Sequence, residues 1–224
     1  MMMDKVDTLV ERDLRIAIPK GSLYADSIAM LARAGLDMDG LDDPGRTLVW
    51  YKDGVRYLIL RPTDIPVFVA YGGADCAICG KDSIVESELD VVELVDLGFG
   101  ACRFVVAEPE KSDRRADDTY DRLGMLRVAT KYPHITKAYY DRKGIQVDII
   151  KLYGNIELAP LCDMADRIVD ITATGTTLRE NHLRIVDDVL SSTARFIGNP
   201  AAVRIDRRVR TIASALATCV KGQE

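Results

Sequence analysis

One stretch of the sequence decides the fold: Arg167-Ile-Val-Asp-Ile-Thr-Ala-Thr-Gly-Thr-Thr-Leu178. Its apolar start predicts a buried strand that ends near the acid Asp170, and the threonines around Gly175 predict a loop that opens a helix. A phosphate group needs backbone N–H groups at such a helix start, hydroxyl donors and a glycine without a Cβ. Asp170 could accept hydrogen bonds from ribose hydroxyls. The stretch therefore fits a ribose 5-phosphate site, although an ordinary capped helix after a strand fits it equally well.

Strands and helices alternate on both sides of this stretch, which predicts an α/β protein. Asp53-Gly54 lies between two apolar runs and predicts a two-residue hairpin with an antiparallel strand pair. Residues 108–124 are highly charged, so we expect a solvated linker there between two α/β units. Predicted strands are 14–18, 47–52, 55–60, 75–79, 91–95, 126–130, 147–151, 167–171, 184–189 and 194–197; predicted helices are 24–34, 83–88, 133–143, 157–162 and 201–220, with a short one after Asp64 and one from Thr176.

Composition excludes a disordered or fibrous protein and shows no feature of nucleic-acid or membrane binding. With 224 residues, 48% of them hydrophobic, the chain can bury a substantial core. Its 30 basic and 35 acidic residues are spread along the chain, and a net charge of -5 leaves no basic stripe. Residues 1–13 lack the apolar core of a signal peptide, and no later run reaches membrane-spanning length. We therefore predict a cytoplasmic protein.

Cysteine and histidine spacing argues against a metal site made by these residues. Five cysteines is an odd number, which argues against a disulfide framework and for a reducing compartment. Cys76 and Cys79 form a C-x-x-C in an apolar run that predicts a buried strand, where an odd separation places them on opposite faces. We interpret both as small buried residues. His134 and His182 are far apart in sequence, so a histidine-ligated metal is not expected.

A longer segment around the opening stretch resembles the signature of ATP phosphoribosyltransferases. This segment is Glu157-Leu-Ala-Pro-Leu-Cys-Asp-Met-Ala-Asp-Arg-Ile-Val-Asp-Ile-Thr-Ala-Thr-Gly-Thr-Thr-Leu178. The matching positions are Glu157, Ala165, Ile168, Asp170, Thr174, Gly175, Thr177 and Leu178. Asp163 stands where the family usually has glycine, which would alter the turn before Ala165.

Further segments look like blocks of the same family in the same order: 16–23, 60–66, 74–82, 128–133 and 151–160. The resemblance implies an α/β fold of two periplasmic-binding-protein-like (type II) lobes joined by two crossing strands, with the active site in the interlobe cleft. Domain I would comprise 1–104 plus 194–224, and domain II would comprise 105–193. The crossings would lie near 102–107 and 194–198.

The resemblance also implies the reaction. Family members join N1 of ATP to C1 of phosphoribosyl pyrophosphate with inversion and release pyrophosphate, in the first step of histidine biosynthesis, with Mg²⁺ as cofactor. Such a reaction needs alignment of the two substrates and neutralisation of the leaving pyrophosphate more than it needs a covalent nucleophile.

Candidate site residues follow from the resemblance. The catalytic candidates are Lys20, Arg46, Glu157 and Asp170. Phosphoribosyl pyrophosphate would be bound by Asp170, Ala173, Thr174, Gly175, Thr176 and Thr177. Nucleotide or pyrophosphate would be bound by Lys20, Gly21, Arg46, Arg61, Asp64, Lys81 and Tyr132. Within these sets, 174–177 would hold the 5-phosphate, Asp170 the ribose hydroxyls, Glu157 the ribose or Mg²⁺, and Tyr132 the adenine.

Most of these candidates have a plainer interpretation that the sequence leaves open. Lys20 and Lys81 could be solvated loop charges. Arg46 and Arg61 could be surface hairpin residues whose stems cover apolar neighbours. Tyr132 could be a hydrophobic staple before a helix that starts at Pro133.

Two further classes of function remain open alternatives. Another phosphoribosyltransferase of type I would share the acid and the loop, but that type usually has two consecutive acids, whereas Val169 precedes Asp170 here. A solute-binding module or a regulatory ligand-binding domain would have the two-lobed fold without catalysis. No G-x-x-x-x-G-K-[ST] pattern is present, which disfavours a P-loop nucleotidase.

The partners expected from the resemblance are ATP, phosphoribosyl pyrophosphate and other protein chains. The length resembles the short form of the family, without the C-terminal histidine-binding domain of long forms. Short forms form a homodimer of catalytic chains within a hetero-oligomer that contains a regulatory subunit related to histidyl-tRNA synthetase.

Overall fold

The structure, a computed structural model, describes residues 12–41, 45–110 and 116–222. The chain divides into two compact units: a first unit of Met1–Gly100 with Thr193–Glu224, and a second unit of Ala101–Ser192. The predicted junctions, 104/105 and 193/194, lie four residues and one residue after those of the structure. The prediction about a signal peptide in 1–13 falls mostly on residues outside those described.

Helices and strands alternate through both units, as predicted. The strands are β1 (Leu14–Pro19), β2 (Val49–Lys52), β3 (Val55–Leu60), β4 (Cys76–Gly80), β5 (Val92–Asp96), β6 (Cys102–Pro109), β7 (Leu126–Thr130), β8 (Val147–Lys151), β9 (Arg167–Thr172), β10 (Leu183–Ser192) and β11 (Ala194–Gly198). The helices are α1 (Tyr24–Arg33), α2 (Ile65–Ala70), α3 (Lys81–Ser87), α4 (Ala116–Leu123), α5 (Pro133–Lys143), α6 (Leu158–Leu161), α7 (Thr176–Glu180), α8 (Pro200–Ile205) and α9 (Arg207–Lys221).

The first unit is built on a mixed sheet in the order β2-β3-β1-β4-β11-β5. β1 pairs in parallel with β3 and β4, whereas β2 and β11 pair antiparallel with their neighbours. Central strands are buried on both faces, which explains their nearly continuous apolar sequences. The hairpin predicted at Asp53-Gly54 is confirmed, and both residues have the positive φ that such a turn requires.

The two cysteines of β4 occupy opposite faces of this sheet, as predicted. Cys76 packs into the cluster that contains Ile16 and Ile18, whereas Cys79 packs into the cluster that contains Ala17. Burial raises the pKa of both thiols, so both stay protonated at neutral pH. They act as small core residues.

The second unit is built on a mixed sheet in the order β10-β6-β9-β7-β8. β7 lies parallel to both β8 and β9, while β6 is antiparallel to β9 and β10. The chain passes between the units just before β6 and between β10 and β11. The strands β6 and β11, which cover the crossings predicted near 102–107 and 194–198, begin within two residues of these junctions.

Two predictions about secondary structure were wrong. The expected linker at 108–124 contains the end of β6 and the helix α4, and 111–115 lie outside the described residues. The charge of Glu108 is neutralised inside the fold by Arg167 and Arg184, and Asp117 of α4 also pairs with Arg167. The expected helix at 201–220 is broken at Asp206, which ends α8 and caps α9 by accepting a hydrogen bond from the Arg208 N–H.

An Ala-Asp pair before a strand plays the same part in each unit. Asp75, just before β4, accepts hydrogen bonds from the backbone N–H of Arg15 at 2.9 Å and from its guanidinium. Asp166, just before β9, accepts the same two bonds from Arg127, at 2.8 Å from the backbone N–H. Each carboxylate thus fixes the start of the neighbouring parallel strand, β1 or β7.

Replacement of Asp75 by asparagine should destabilise the protein by about 1–3 kcal/mol at neutral pH. Burial alone would raise the pKa of Asp75, but hydrogen bonds from Arg15 lower it below its ordinary value on balance. A lowered pKa in the folded state stabilises the fold above about pH 4, and this stabilisation is lost as the pH falls toward the lowered pKa. Denaturant midpoints of the two proteins should therefore differ at pH 7 and converge in acid. Equal midpoints at pH 7 would contradict the prediction.

Candidate functional site

Polar residues lie at the end of the second sheet where the parallel strands β7, β8 and β9 terminate. We call this end, formed by the carboxyl ends of the strands, the polar edge of the unit. Thr130, the last residue of β7, is opposite Val169 on β9, so Asp170 lies just beyond the end of β7. The buried Thr130 hydroxyl donates to the Val169 carbonyl at 2.7 Å and accepts from the Tyr132 N–H at 2.9 Å. These bonds hold the segment after β7 beside Asp170, at the edge where ligands of parallel α/β sheets bind.

The loop between β9 and α7 turns sharply at Gly175. This residue is buried with a φ of +74°, and its N–H donates to the Thr172 hydroxyl at 2.7 Å. A Cβ here would lie 3.3 Å from Nη1 of Arg179 and 3.4 Å from Cδ1 of Ile185. Both the positive φ and the close contacts therefore favour glycine. The residues around it are exposed: Ala173, Thr174, Thr176 and Thr177.

The predicted helix from Thr176 is confirmed but short, since α7 ends at Glu180. A helix of this length has a weak dipole, so an anion at the loop would depend on individual donors. Such donors are present, because the Thr174 and Thr176 hydroxyls lie 2.9 Å apart and both residues are exposed. The loop therefore offers exposed hydroxyl groups to a ligand in addition to the N–H groups of the helix start.

Asp170 is a carboxylate held in an unfavourable environment. Burial raises its pKa above the ordinary value, and the negative charge of Glu157 adds to the rise. The Ile171 N–H, which donates to Asp170 at 2.9 Å, and the positive charge of Lys131 act in the opposite direction. A desolvated acid at the end of a strand is typical of a functional position, where a bound ligand supplies the missing partners.

Glu157 and Tyr132 lie at the same edge of the second unit. Glu157 immediately precedes α6 and is close enough to Asp170 to influence its pKa. The ring of Tyr132 packs edge-on against Phe104, with ring centroids 4.7 Å apart. This contact is with strand β6 and not with a residue of α5, so it differs from the staple interpretation of Tyr132.

Asp163, which stands where the resemblance predicts glycine, has a backbone conformation that glycine favours. Its φ is +55°, which lies in the left-handed region that glycine adopts most easily. Aspartate is among the residues that tolerate this region best, and its carbonyl accepts a bond from Arg127 at 2.9 Å. The turn before Ala165 is therefore compatible with aspartate.

Several predicted cations gather at one edge of the first unit. Lys20 and Gly21 follow β1, Arg61 follows β3 and Lys81 follows β4, and the parallel arrangement places these strand ends together. Arg46 precedes β2, which runs in the opposite direction, so its start lies beside the end of β3.

The cations of this edge differ in their partners. Lys20, Arg46 and Arg61 are exposed and have no carboxylate partner within the described part of the chain. Lys81 instead forms an ion pair with Glu93. Asp64 is exposed beside the Thr63 hydroxyl. The predicted residues thus form two sets, one at a sheet edge of each unit.

Sequence reasoning missed two cations near the loop of the second unit. Lys131 affects the pKa of Asp170, and Arg179 donates to the Thr174 carbonyl and the Thr176 hydroxyl, each at 3.1 Å. Arg179 stands four residues after Gly175, a spacing that places its side chain over the preceding helical turn. That spacing could have indicated its contact with the loop.

No group of three or more His, Cys, Asp or Glu side chains that could hold a metal occurs among residues 12–41, 45–110 and 116–222. In the same ranges, no helix is both long and apolar enough to cross a membrane.

Comparison with known proteins gives consistent results for sequence and fold. The family model for ATP phosphoribosyltransferase matches residues 61–218. An ATP phosphoribosyltransferase of Moorella thermoacetica is 47% identical over 213 residues, which is 93% of each protein. The ATP phosphoribosyl transferase (HisG:HisZ) complex from Thermotoga maritima contains a chain with a TM-score of 0.79 and 31% identity, covering 93% of this chain and 99% of that one. Arginine-bound Tv2483 has a TM-score of 0.57 at 12% identity, covering 97% and 88%, and supports the two-lobed fold alone.

Proposed function

This chain belongs to the ATP phosphoribosyltransferase family, and from that premise we propose which of its residues bind each substrate. The reaction transfers the phosphoribosyl group of phosphoribosyl pyrophosphate to ATP, releases pyrophosphate and is the first step of histidine biosynthesis. The assignments below rest on the two sheet edges.

The edge of the second unit binds phosphoribosyl pyrophosphate in this proposal. The main observation in support is the loop between β9 and α7. The chain turns at Gly175, and the threonine hydroxyls beside it are exposed shortly after Asp170, a carboxylate whose pKa is raised by burial. Ala173, Thr174, Thr176 and Thr177 surround the 5-phosphate. Asp170 accepts hydrogen bonds from the ribose hydroxyls, which supply partners to its half-buried carboxylate. Glu157 helps to orient the ribose, and Tyr132 lines the adenine pocket.

The edge of the first unit binds pyrophosphate or the phosphates of ATP. Support comes from Lys20, Arg46 and Arg61, three exposed cations at neighbouring strand ends. Gly21 has a φ of +83° and open space around it, so its backbone can approach a phosphate closely. Asp64 and Lys81 complete this set, and Lys81 would have to exchange Glu93 for a substrate phosphate.

Catalysis on this proposal depends on alignment and charge. The bond between C1 and the pyrophosphate oxygen breaks while N1 of the adenine attacks from the opposite face, so the pyrophosphate leaves with its electron pair. Lys20 and Arg46 would neutralise the charge that develops on the leaving group. Asp170 and Glu157 would hold the ribose so that C1 faces N1.

Mg²⁺ fits this donor set only as a metal shared with substrate. Asp170 and Glu157 are two carboxylates close enough to interact, and Mg²⁺ in phosphate chemistry typically uses one or two carboxylates plus substrate oxygens and water. When bound, Mg²⁺ would supply positive charge to the departing pyrophosphate. Glu157 is the residue that would hold it, while Asp170 accepts hydrogen bonds from the ribose hydroxyls.

Assembly and location are also proposals. The Thermotoga maritima relative was solved as a HisG:HisZ complex, which supports a hetero-oligomer with a second kind of chain. We further propose that this chain forms a homodimer within that assembly and that the second chain is a regulatory subunit related to histidyl-tRNA synthetase. Free cysteines at all five positions are consistent with the reducing cytoplasm.

A direct assay tests the activity and its substrate. The protein is incubated with phosphoribosyl pyrophosphate, Mg²⁺ and either ATP or free nucleobases, and phosphoribosyl products and pyrophosphate are quantified. We expect product with ATP and none with the free bases. Product from a base alone would favour a type I phosphoribosyltransferase activity, and ligand binding without any product would favour a binding module.

A further inference from the structure

We propose that Arg179 is a positioning residue for the loop that binds the 5-phosphate of phosphoribosyl pyrophosphate. Its guanidinium donates from Nη1 to the Thr174 carbonyl and from Nη2 to the Thr176 hydroxyl, each at 3.1 Å. It thereby connects the residues on both sides of Gly175. The inference rests on the proposed function of this loop and extends it to a residue outside the family signature.

The donor pattern of the loop gives Arg179 a specific part. A guanidinium has no acceptor, so the Thr176 hydroxyl oxygen must accept from Arg179. The Thr174 and Thr176 hydroxyls lie 2.9 Å apart and share one of their two hydrogens, and the Thr176 N–H also points to the Thr174 hydroxyl at 3.4 Å. One hydroxyl hydrogen is left over. Arg179 thus uses the Thr174 carbonyl and the Thr176 hydroxyl oxygen as acceptors, and one threonine hydroxyl remains free to donate to an anion.

The glycine at position 175 leaves room for the Arg179 side chain beside the loop. Its Nη1 would lie 3.3 Å from a Cβ on Gly175, so the absence of that Cβ lets the guanidinium lie against the loop backbone. Within the described residues it has no carboxylate partner, and its positive charge therefore remains uncompensated beside the loop. An unpaired guanidinium next to hydroxyl donors attracts a phosphate and disfavours a neutral ligand.

Substitution of Arg179 should act on one substrate. In Arg179→Ala we expect the KM for phosphoribosyl pyrophosphate to rise about 5- to 30-fold, with smaller changes in kcat and in the KM for ATP. Arg179→Lys should restore part of the affinity, because lysine keeps the charge but cannot bridge the two acceptors with a planar fork. A merely structural role would lower thermal stability without this selectivity or rescue.

Two comparisons make the test decisive. Arg142→Ala removes the same charge from the last turn of α5, at the opposite edge of the sheet, and should leave all three parameters unchanged. The double variant Arg179→Ala with Thr176→Val should lose less than the sum of the two single variants, because both single variants remove the bond between the guanidinium and the Thr176 hydroxyl. Fully additive effects would overturn the coupling between Arg179 and Thr176.

The outcome also separates this inference from the proposed function. If Arg179→Ala keeps a wild-type KM for phosphoribosyl pyrophosphate while Asp170→Asn is impaired, the loop binds the sugar substrate and the role of Arg179 is wrong. If both variants are wild type, the assignment of the loop itself is wrong. An equal rise in both KM values would also overturn a role confined to the 5-phosphate.

Discussion

Asp170→Asn should lower kcat/KM for phosphoribosyl pyrophosphate about 10- to 150-fold, because it removes a charge-assisted hydrogen bond to the ribose. The asparagine carbonyl can still accept from the Ile171 N–H, so the backbone at the end of β9 should not move. The KM for ATP should change far less. Thr177→Ala should act in the same direction but more weakly, since other loop donors remain. Initial rates with each substrate varied in turn give the comparison.

The stability of this variant provides the control. Burial raises the pKa of Asp170, so its ionised form opposes folding at neutral pH, and its neutral replacement should leave the melting temperature unchanged or slightly higher. Asp75→Asn should do the reverse, since the pKa of Asp75 is lowered and its charge stabilises the fold. A folded Asp170→Asn enzyme with wild-type kinetics would remove Asp170 from the sugar site.

The elements around the site could be predicted because local chemistry determines them. The buried apolar run of β9, the glycine with positive φ and the short helix after it each follow from residues next to one another in sequence. The Asp53-Gly54 turn was predictable for the same reason. Family membership then decides between the alternatives that the loop alone left open.

Features that depend on contacts between residues far apart in the sequence were not predicted. The chain continues as a strand at Glu108 because arginines of β9 and β10 neutralise it, and those partners stand 59 and 76 residues away. The equivalence of Asp75 and Asp166 likewise depends on contacts with distant strands. The break between α8 and α9 at Asp206 was not predicted because an aspartate within a helical pattern does not by itself end a helix. Asp206 caps α9 here because its own backbone is extended.

Histidine should have little effect on the isolated 224-residue chain. A ligand shifts an equilibrium only through a site that binds it, and the residues assigned above serve ATP and phosphoribosyl pyrophosphate. In the proposed assembly with a regulatory subunit, we expect the histidine site on that subunit. We therefore expect the isolated chain to turn over both substrates with nearly unchanged rates across a histidine titration. Inhibition should appear only after a synthetase-like subunit is added.

Calorimetry on the isolated chain distinguishes a missing site from a missing response. Absence of heat on histidine addition, together with unchanged rates, supports a regulatory site on the partner. Inhibition of the complex should then weaken when the histidine pocket of the partner is altered, while the Asp170→Asn change in the catalytic chain should lower activity without changing the histidine concentration for half inhibition. Tight binding of histidine by the isolated chain, coupled to inhibition, would place the regulatory site in these two units. It would contradict the proposal that catalysis and histidine binding occur on different subunits.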